Sequence, residues 1–261
     1  MLNAIPSLKF RLFRRTFPWI AARVPDRLVY ATSLALGRSF GSYFQRKDRM
    51  PWCLDGYGSA ILTNICLCEF SQLGKAFELP LVVLGLDQVA AAYAQHGRLI
   101  LCSIHLPLNR CLHRALLPLG APTAVIAGAS NIPWPYVHGI PNAPRPKVMS
   151  PGESLYFQVR SALSDGRIVM TDIDRWCRQQ TIGLTMGPIQ FAGRTQTPVQ
   201  FFATRWDATH RVEVAFSPAY TGEVLQDSTK CLDALDSFLR PYVGDQYQFC
   251  WESREKTRRA A

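Results

Sequence analysis

The order of apolar segments through the middle of the chain restricts its fold more than any other feature. The stretch "LILCSIHLPLNRCLH" (99–113) runs from an apolar strand, Leu99 to Ile104, straight into His105. Pro107 then suits the first turn of a helix over about 107–118, where a missing N–H costs little. A short strand "PTAVIAG" (122–128) follows, then a helix "ESLYFQVRSALSDG" (153–166) ended by Gly166, and a buried strand "RIVMTDID" (167–174) ending in two acids. "MGPIQFAGRTQ" (186–196) reads as a short helix, "PVQFFATRW" (198–206) and "RVEVAFSPAY" (211–220) as a hairpin-like pair, and 228–243 as a helix. Upstream, helices are expected over 26–46, with Asp26 as N-cap, over 57–78, and from about Leu86 to His96 after a link, with Gly97 at its C′ position. Strands that alternate with helices and close on a hairpin specify one α/β domain, with a mixed, mainly parallel central sheet flanked by helices.

The partner classes follow from charge. At 261 residues, 48% hydrophobic and 18% charged, the chain is globular with one sizeable core. A formal charge of +10 favours an anionic partner: nucleic acid, a phospholipid surface, or an acidic carrier. Nucleic acid is set aside. No helix-turn-helix, RNP, KH or zinc-finger pattern is present, and the basic residues cluster at the two ends, 9–24 and 254–259. The eight cysteines form no CxxC, and the five histidines show no ligand spacing with them, so no metal site is expected and the thiols read as reduced.

No segment offers the roughly 20 apolar residues of a membrane span. The N-terminus instead reads as a surface-lying helix. In "IPSLKFRLFRRTFPWIAARV" (5–24), Leu8, Leu12, Phe13, Phe17 and Ile20 recur at helical spacing among Lys9, Arg11, Arg14 and Arg15. Phe10, Phe13, Phe17 and Trp19 are either inserted in a membrane or packed on the second helix. This gives 1–25 as a basic amphipathic membrane-surface helix, 26–253 as the α/β domain and 254–261 as a basic tail. A Pro-rich loop (131–148) carries Trp134, Tyr136 and His138, read as surface packing.

Four stretches in register resemble the lipid A lauroyl/myristoyl acyltransferase branch of the lysophospholipid acyltransferase superfamily. The strand–His105–helix unit and "LGAPTAVIAG" (119–128) are similar to that family's strand–His–helix and the G-x-P-x-x-V-I that follows. "ALSDGRIVMTDID" (162–174), "TMGPIQFAGRTQTPVQFFATRW" (185–206) and "FLRPYVGDQYQFCWES" (238–253) resemble its later motifs in the same order. The resemblance implies acyl transfer from an acyl carrier protein or coenzyme A thioester, a co-substrate rather than a tightly bound cofactor, to a hydroxyl of a lipid or glycolipid. The implied setting is peripheral, on the cytoplasmic face of a bacterial inner membrane, with an anionic membrane surface as partner.

In the family's H-x-x-x-x-D/E motif the histidine is the general base and the carboxylate orients it. Carried over, His105 is the base and the carboxylate position holds Arg110. Three readings of that departure stand side by side. In the first, a substitute orients the ring: Asn109 from the same helix face, or Asp172 or Asp174 from the neighbouring strand end. Only one of the two acids is expected to line a cleft unless the strand has ended, and Asp172 is that one, with Asp174 grouped among substrate contacts. In the second, Arg110 meets a substrate phosphate or carboxylate, as does Arg205 at the end of its strand. In the third, the site is catalytically degenerate and the fold binds an acylated carrier or lipid without turnover. Backbone N–H groups at the start of the 107–118 helix are the expected oxyanion donors.

Overall fold

All five residues of β2 (Leu99–Ser103) are buried, which a strand achieves only inside a sheet covered on both faces. The computed structural model describes residues 8–41, 57–127, 139–178 and 180–252. Trp134, Tyr136, His138 and the basic tail 254–261 lie outside the described residues, as do the side chains of Phe10 and Phe13.

β2 is central in a seven-stranded sheet. Its strands are β1 (Leu81–Leu84), β3 (Thr123–Ile126), β4 (Lys147–Met149), β5 (Ile168–Asp172), β8 (Val199–Trp206) and β9 (Val212–Phe216), in the order β1-β9-β8-β2-β5-β3-β4. β8 and β9 pair antiparallel, and every other neighbouring pair in this sheet is parallel. A second sheet, order β10-β7-β6, joins β6 (Asp174–Arg178), β7 (Thr181–Leu184) and β10 (Gln248–Trp251).

Helices cover both faces. On one lie α1 (Leu8–Arg23), α2 (Val29–Phe40), α3 (Tyr57–Gln72), α4 (Leu86–His96) and α5 (Leu112–Leu116), packed on Leu99, Leu101 and Phe202. On the other lie α6 (Leu155–Ser164), α7 (Gly187–Thr195), α8 (Glu223–Gln226) and α9 (Ser228–Val243), packed on Ile100, Cys102 and Phe201. The fold is a single α/β domain with a mostly parallel sheet between helical layers, as the alternation of segments implies. Among the described residues no helix is long and apolar enough to cross a membrane.

The local differences have physical causes. The helix expected over 107–118 is a 3₁₀ turn (Asn109–Cys111), one short α-helix, α5, and a second 3₁₀ turn (Leu117–Leu119). Asp26 caps no helix: it accepts from the Ala76 N–H at 3.2 Å and pairs with Lys75 at 3.4 Å, tying two segments distant in sequence. The link before Leu86 contains β1, whose four-residue edge strand is too short for a clear alternating pattern. The strand expected over 167–174 divides at Ile173 into β5 and β6, which belong to different sheets. Phe17 is fully buried and meets the Phe70 ring edge-on at 4.9 Å, so it belongs to the core, while Trp19 is 65% exposed.

α2 and α3 approach each other closely at small residues. A Cβ added at Gly37 would lie 2.0 Å from Thr63 Oγ1 and 2.6 Å from the Ser59 carbonyl oxygen. Thr63 Oγ1 is itself held by that carbonyl at 2.9 Å, so it has little room to yield. We therefore expect Gly37→Ala to force the helices apart and lower stability by roughly 1–3 kcal/mol, as for other overpacked sites. Chemical denaturation checks this, and an unchanged midpoint would contradict the close approach.

Candidate active site

Parallel strands place their C-terminal ends side by side, and three of those ends meet around His105. β2 delivers His105 two residues beyond Ser103, and Ser103 pairs in register with Asp172, the last residue of β5. β8, on the other side of β2, contributes Thr204.

The chain then turns at Ile173. Its N–H donates to Ser103 O at 2.8 Å, continuing the β2–β5 ladder, and its carbonyl accepts from the N–H of Thr185, just past the end of β7, at 2.7 Å. This handover from one sheet to the other fixes Asp174 against His105. Asp174 Oδ1 accepts the backbone N–H of His105 at 2.8 Å, and its carboxylate accepts from ring Nδ1, 2.9 Å from Oδ1 and 3.0 Å from Oδ2. The opposite ring nitrogen, Nε2, lies 3.6 Å from Asp172 Oδ2. The His105 side chain is 61% exposed while that of Asp174 is 4% exposed, so a solvent-facing imidazole stands on a buried carboxylate.

Asn109 has its contacts behind the ring. Its amide Nδ2 donates to the Ile104 carbonyl at 2.7 Å and to Asp172 Oδ1 at 2.8 Å, and its Oδ1 accepts from Thr204 Oγ1 at 2.9 Å. Beside Asp172 a small hollow of about 20 Å³, room for roughly one water, is walled by Leu112, Val125, Met170 and Phe202, with Asn109 and His113 among its polar lining.

Charge follows from these contacts. Desolvation alone would lower the His105 pKa, but the Asp172 charge and the hydrogen bond and charge of Asp174 push it up to about 9, against the opposition of Arg175. Burial raises the Asp172 carboxyl, partly countered by His105 and by the Asn109 hydrogen bond. His113 is pushed the other way, down to about 4, by burial and then by Arg110.

The orienting contact on Nδ1 thus comes from Asp174, which the sequence reading grouped with substrate contacts, and Asp172 faces the other ring edge. Residues two apart share a face of a strand, and here the strand also ends between them, so both acids reach the histidine. Arg110 is engaged within the protein, its Nη1 at 3.3 Å from Cys68 Sγ of α3. Arg205 is engaged as well. It pairs with its cross-strand neighbour Glu213 at 3.0 Å, donates to the Pro241 carbonyl at 3.2 Å, and stacks 4.7 Å from the Tyr242 ring centroid.

Of the expected oxyanion donors, Pro107 has no N–H to give and the Asn109 N–H is committed to Leu106 O. Thr204 escaped the sequence reading, although its parity with Gln200 and Phe202 on a buried strand marks it as an inward-facing polar residue. Among the described residues no cluster of His, Cys, Asp and Glu has the makings of a metal site.

No family model matches the chain, and no curated protein matches it. Among solved structures the chain is similar to the crystal structure of the 1-acyl-sn-glycerophosphate (LPA) acyltransferase, PlsC, from Thermotoga maritima. The TM-score is 0.43 and the identity 15%, over 90% of this chain and 96% of that one.

A histidine raised from 6.5 to about 9 by its carboxylates contributes stability that is whole below 6.5 and is lost as pH rises through 9. The stability advantage of the wild type over His105→Gln is therefore expected to shrink across that interval, as read by denaturation at a series of pH values. An NMR titration of the ring should give a midpoint near 9, falling in Asp174→Asn. A wild-type midpoint at the ordinary histidine value would contradict the assignment of these charges.

Proposed function

We propose that the chain is an acyltransferase that moves a fatty acyl group from a thioester to a hydroxyl of a lipid or glycolipid, with His105 as general base. The observation that carries this reading is the grip of Asp174 on His105 Nδ1, which presents Nε2 at the solvent-facing edge of the ring. The four sequence motifs resembling lipid A acyltransferases supply the reaction class, and the lipid A branch rests on them alone.

In the proposed reaction, an acceptor hydroxyl approaches Nε2 and attacks the thioester carbonyl. The ring takes the hydroxyl proton as the new ester C–O bond forms, and passes that proton to the departing thiolate. Asp174 stabilises the imidazolium and fixes the tautomer with its proton on Nδ1. The carboxylates make the ring a stronger base but hold more of it protonated near neutral pH, so turnover rises with pH toward the ring's pKa of about 9. Acyl carrier protein or coenzyme A as donor fits the net charge of +10.

We place the protein peripherally, on the cytoplasmic face of a bacterial inner membrane. α1 presents Arg15, Trp19 and Arg23 to solvent, and the Arg23 guanidinium sits 3.7 Å over the Trp19 ring, an arrangement suited to anionic headgroups. A second reading, a degenerate site that binds an acylated carrier or lipid without turnover, is favoured by the same raised pKa, because a ring held protonated is a structural ion pair.

A thioester assay with carrier-linked and coenzyme A donors separates the two. Transfer by the wild type, with a loss of about 10²–10⁴-fold in His105→Ala while the variant stays folded, supports the enzyme. Equal rates refute the base, and saturable binding without any thioester loss establishes the second reading. For the membrane, deleting residues 1–20 would strip Phe17 from the core, so the surface change Arg15→Glu with Trp19→Ala is the sounder test. It is expected to release the protein from anionic liposomes, and retained binding would refute α1 as the anchor.

A further inference from the structure

The base and its orienting acid leave one set of contacts unused, the buried chain of hydrogen bonds behind Asp172. Asn109 is 8% exposed and Thr204 2% exposed, and the amide between them is committed on every side. Its two N–H bonds go to the Ile104 carbonyl and Asp172 Oδ1, and its oxygen accepts from the Thr204 hydroxyl. An amide with all three contacts made has one orientation, because turning it over would set its oxygen against two acceptors.

Thr204 is the donor of that set, and it stands on β8, on the far side of β2 from Asp172. We propose that Thr204 is a positioning residue: through the Asn109 amide it fixes the Asp172 carboxylate beside the Nε2 edge of His105. This deepens the reading of His105 as the base and rests on it for its consequence in catalysis.

The physical consequence runs through charge. An N–H donated to Asp172 favours its carboxylate form. Without the Thr204 hydroxyl the buried amide oxygen loses its donor, and the amide turns toward another, drawing Nδ2 away from Asp172. Asp172 then binds a proton more readily, and its negative charge beside Nε2 fades. The other groups acting here stay in place: Asp174 and Arg175 from β6 on His105, the Cys102 thiol of β2 beside Asp172, and His113 in the same hollow with Arg110 behind it. The His105 titration is therefore the readout that a merely structural threonine would leave alone.

The test is an NMR pH titration of the His105 ring in the wild type, Thr204→Val and Thr204→Ser, beside the pH profile of kcat/KM for acyl transfer. Thr204→Val keeps the shape and removes the donor. It is expected to lower the ring midpoint on the order of one pH unit, with the kinetic inflection moving alongside, while Thr204→Ser restores the wild-type midpoint. If Thr204→Val does not fold, Thr204→Ala carries the same expectation. An unchanged midpoint in the donor-less variant, when Asp172→Asn shifts it, overturns the proposal. The ring titration needs no turnover, so a protein without acyl-transfer activity would defeat the proposed function while the titration still decides the role of Thr204.

Discussion

One carboxylate joins the two sheets to the histidine. Asp174 accepts both the backbone N–H and the ring N–H of His105, so it sets where that residue sits and how its ring is turned. The contact depends on the break at Ile173, where the chain leaves the central sheet through Ser103 and enters the second one through Thr185. Ile173 is fully buried between them, so the turn is held by packing as well as by its two backbone hydrogen bonds. The second sheet thus anchors the acid that holds His105.

Around this contact the acidic environment works in two directions. Two carboxylates strengthen the imidazole as a proton acceptor, yet they also stabilise the form that has already accepted one. Asp174, inside the protein, holds the Nδ1 side of the ring, and Asp172 lies by its Nε2 edge. Asn109 donates to Asp172 from the 3₁₀ turn and itself accepts from Thr204 of β8, so strands on both sides of β2 contribute to one hydrogen-bonded set. Arg110 and Arg205 are kept out of this set by partners of their own, Cys68 for the first and Glu213 for the second.

Much of the fold was legible because its signals are local. The apolar runs of β2 and β5, the hairpin of β8 and β9, and the amphipathic stripe of α9 each announce themselves within a few residues, and Gly97 ends α4 in the left-handed conformation the sequence suggests, at φ 64°. β1, β4 and the second sheet's β7 and β10 were missed because strands of three or four residues carry no readable period. His105 was legible from its place after an apolar strand. Its partner was harder to read, since DID looks like the end of one strand, and only the pairing of Ile173 with two different neighbours reveals that it is a crossing between sheets. Arg110 and Arg205 looked like anion binders because a sequence shows a cation's position but not the sulfur or carboxylate that already occupies it.

His105 and Asp174 act as one unit in the proposed chemistry, and a double-mutant cycle on the acyl-transfer rate tests that coupling most directly. Groups that work through a shared step lose their effect together. With His105→Ala in place, adding Asp174→Asn is expected to change the rate little, although Asp174→Asn alone slows the wild type markedly. Losses that simply multiply in the double variant would show two independent contributions and contradict the coupling.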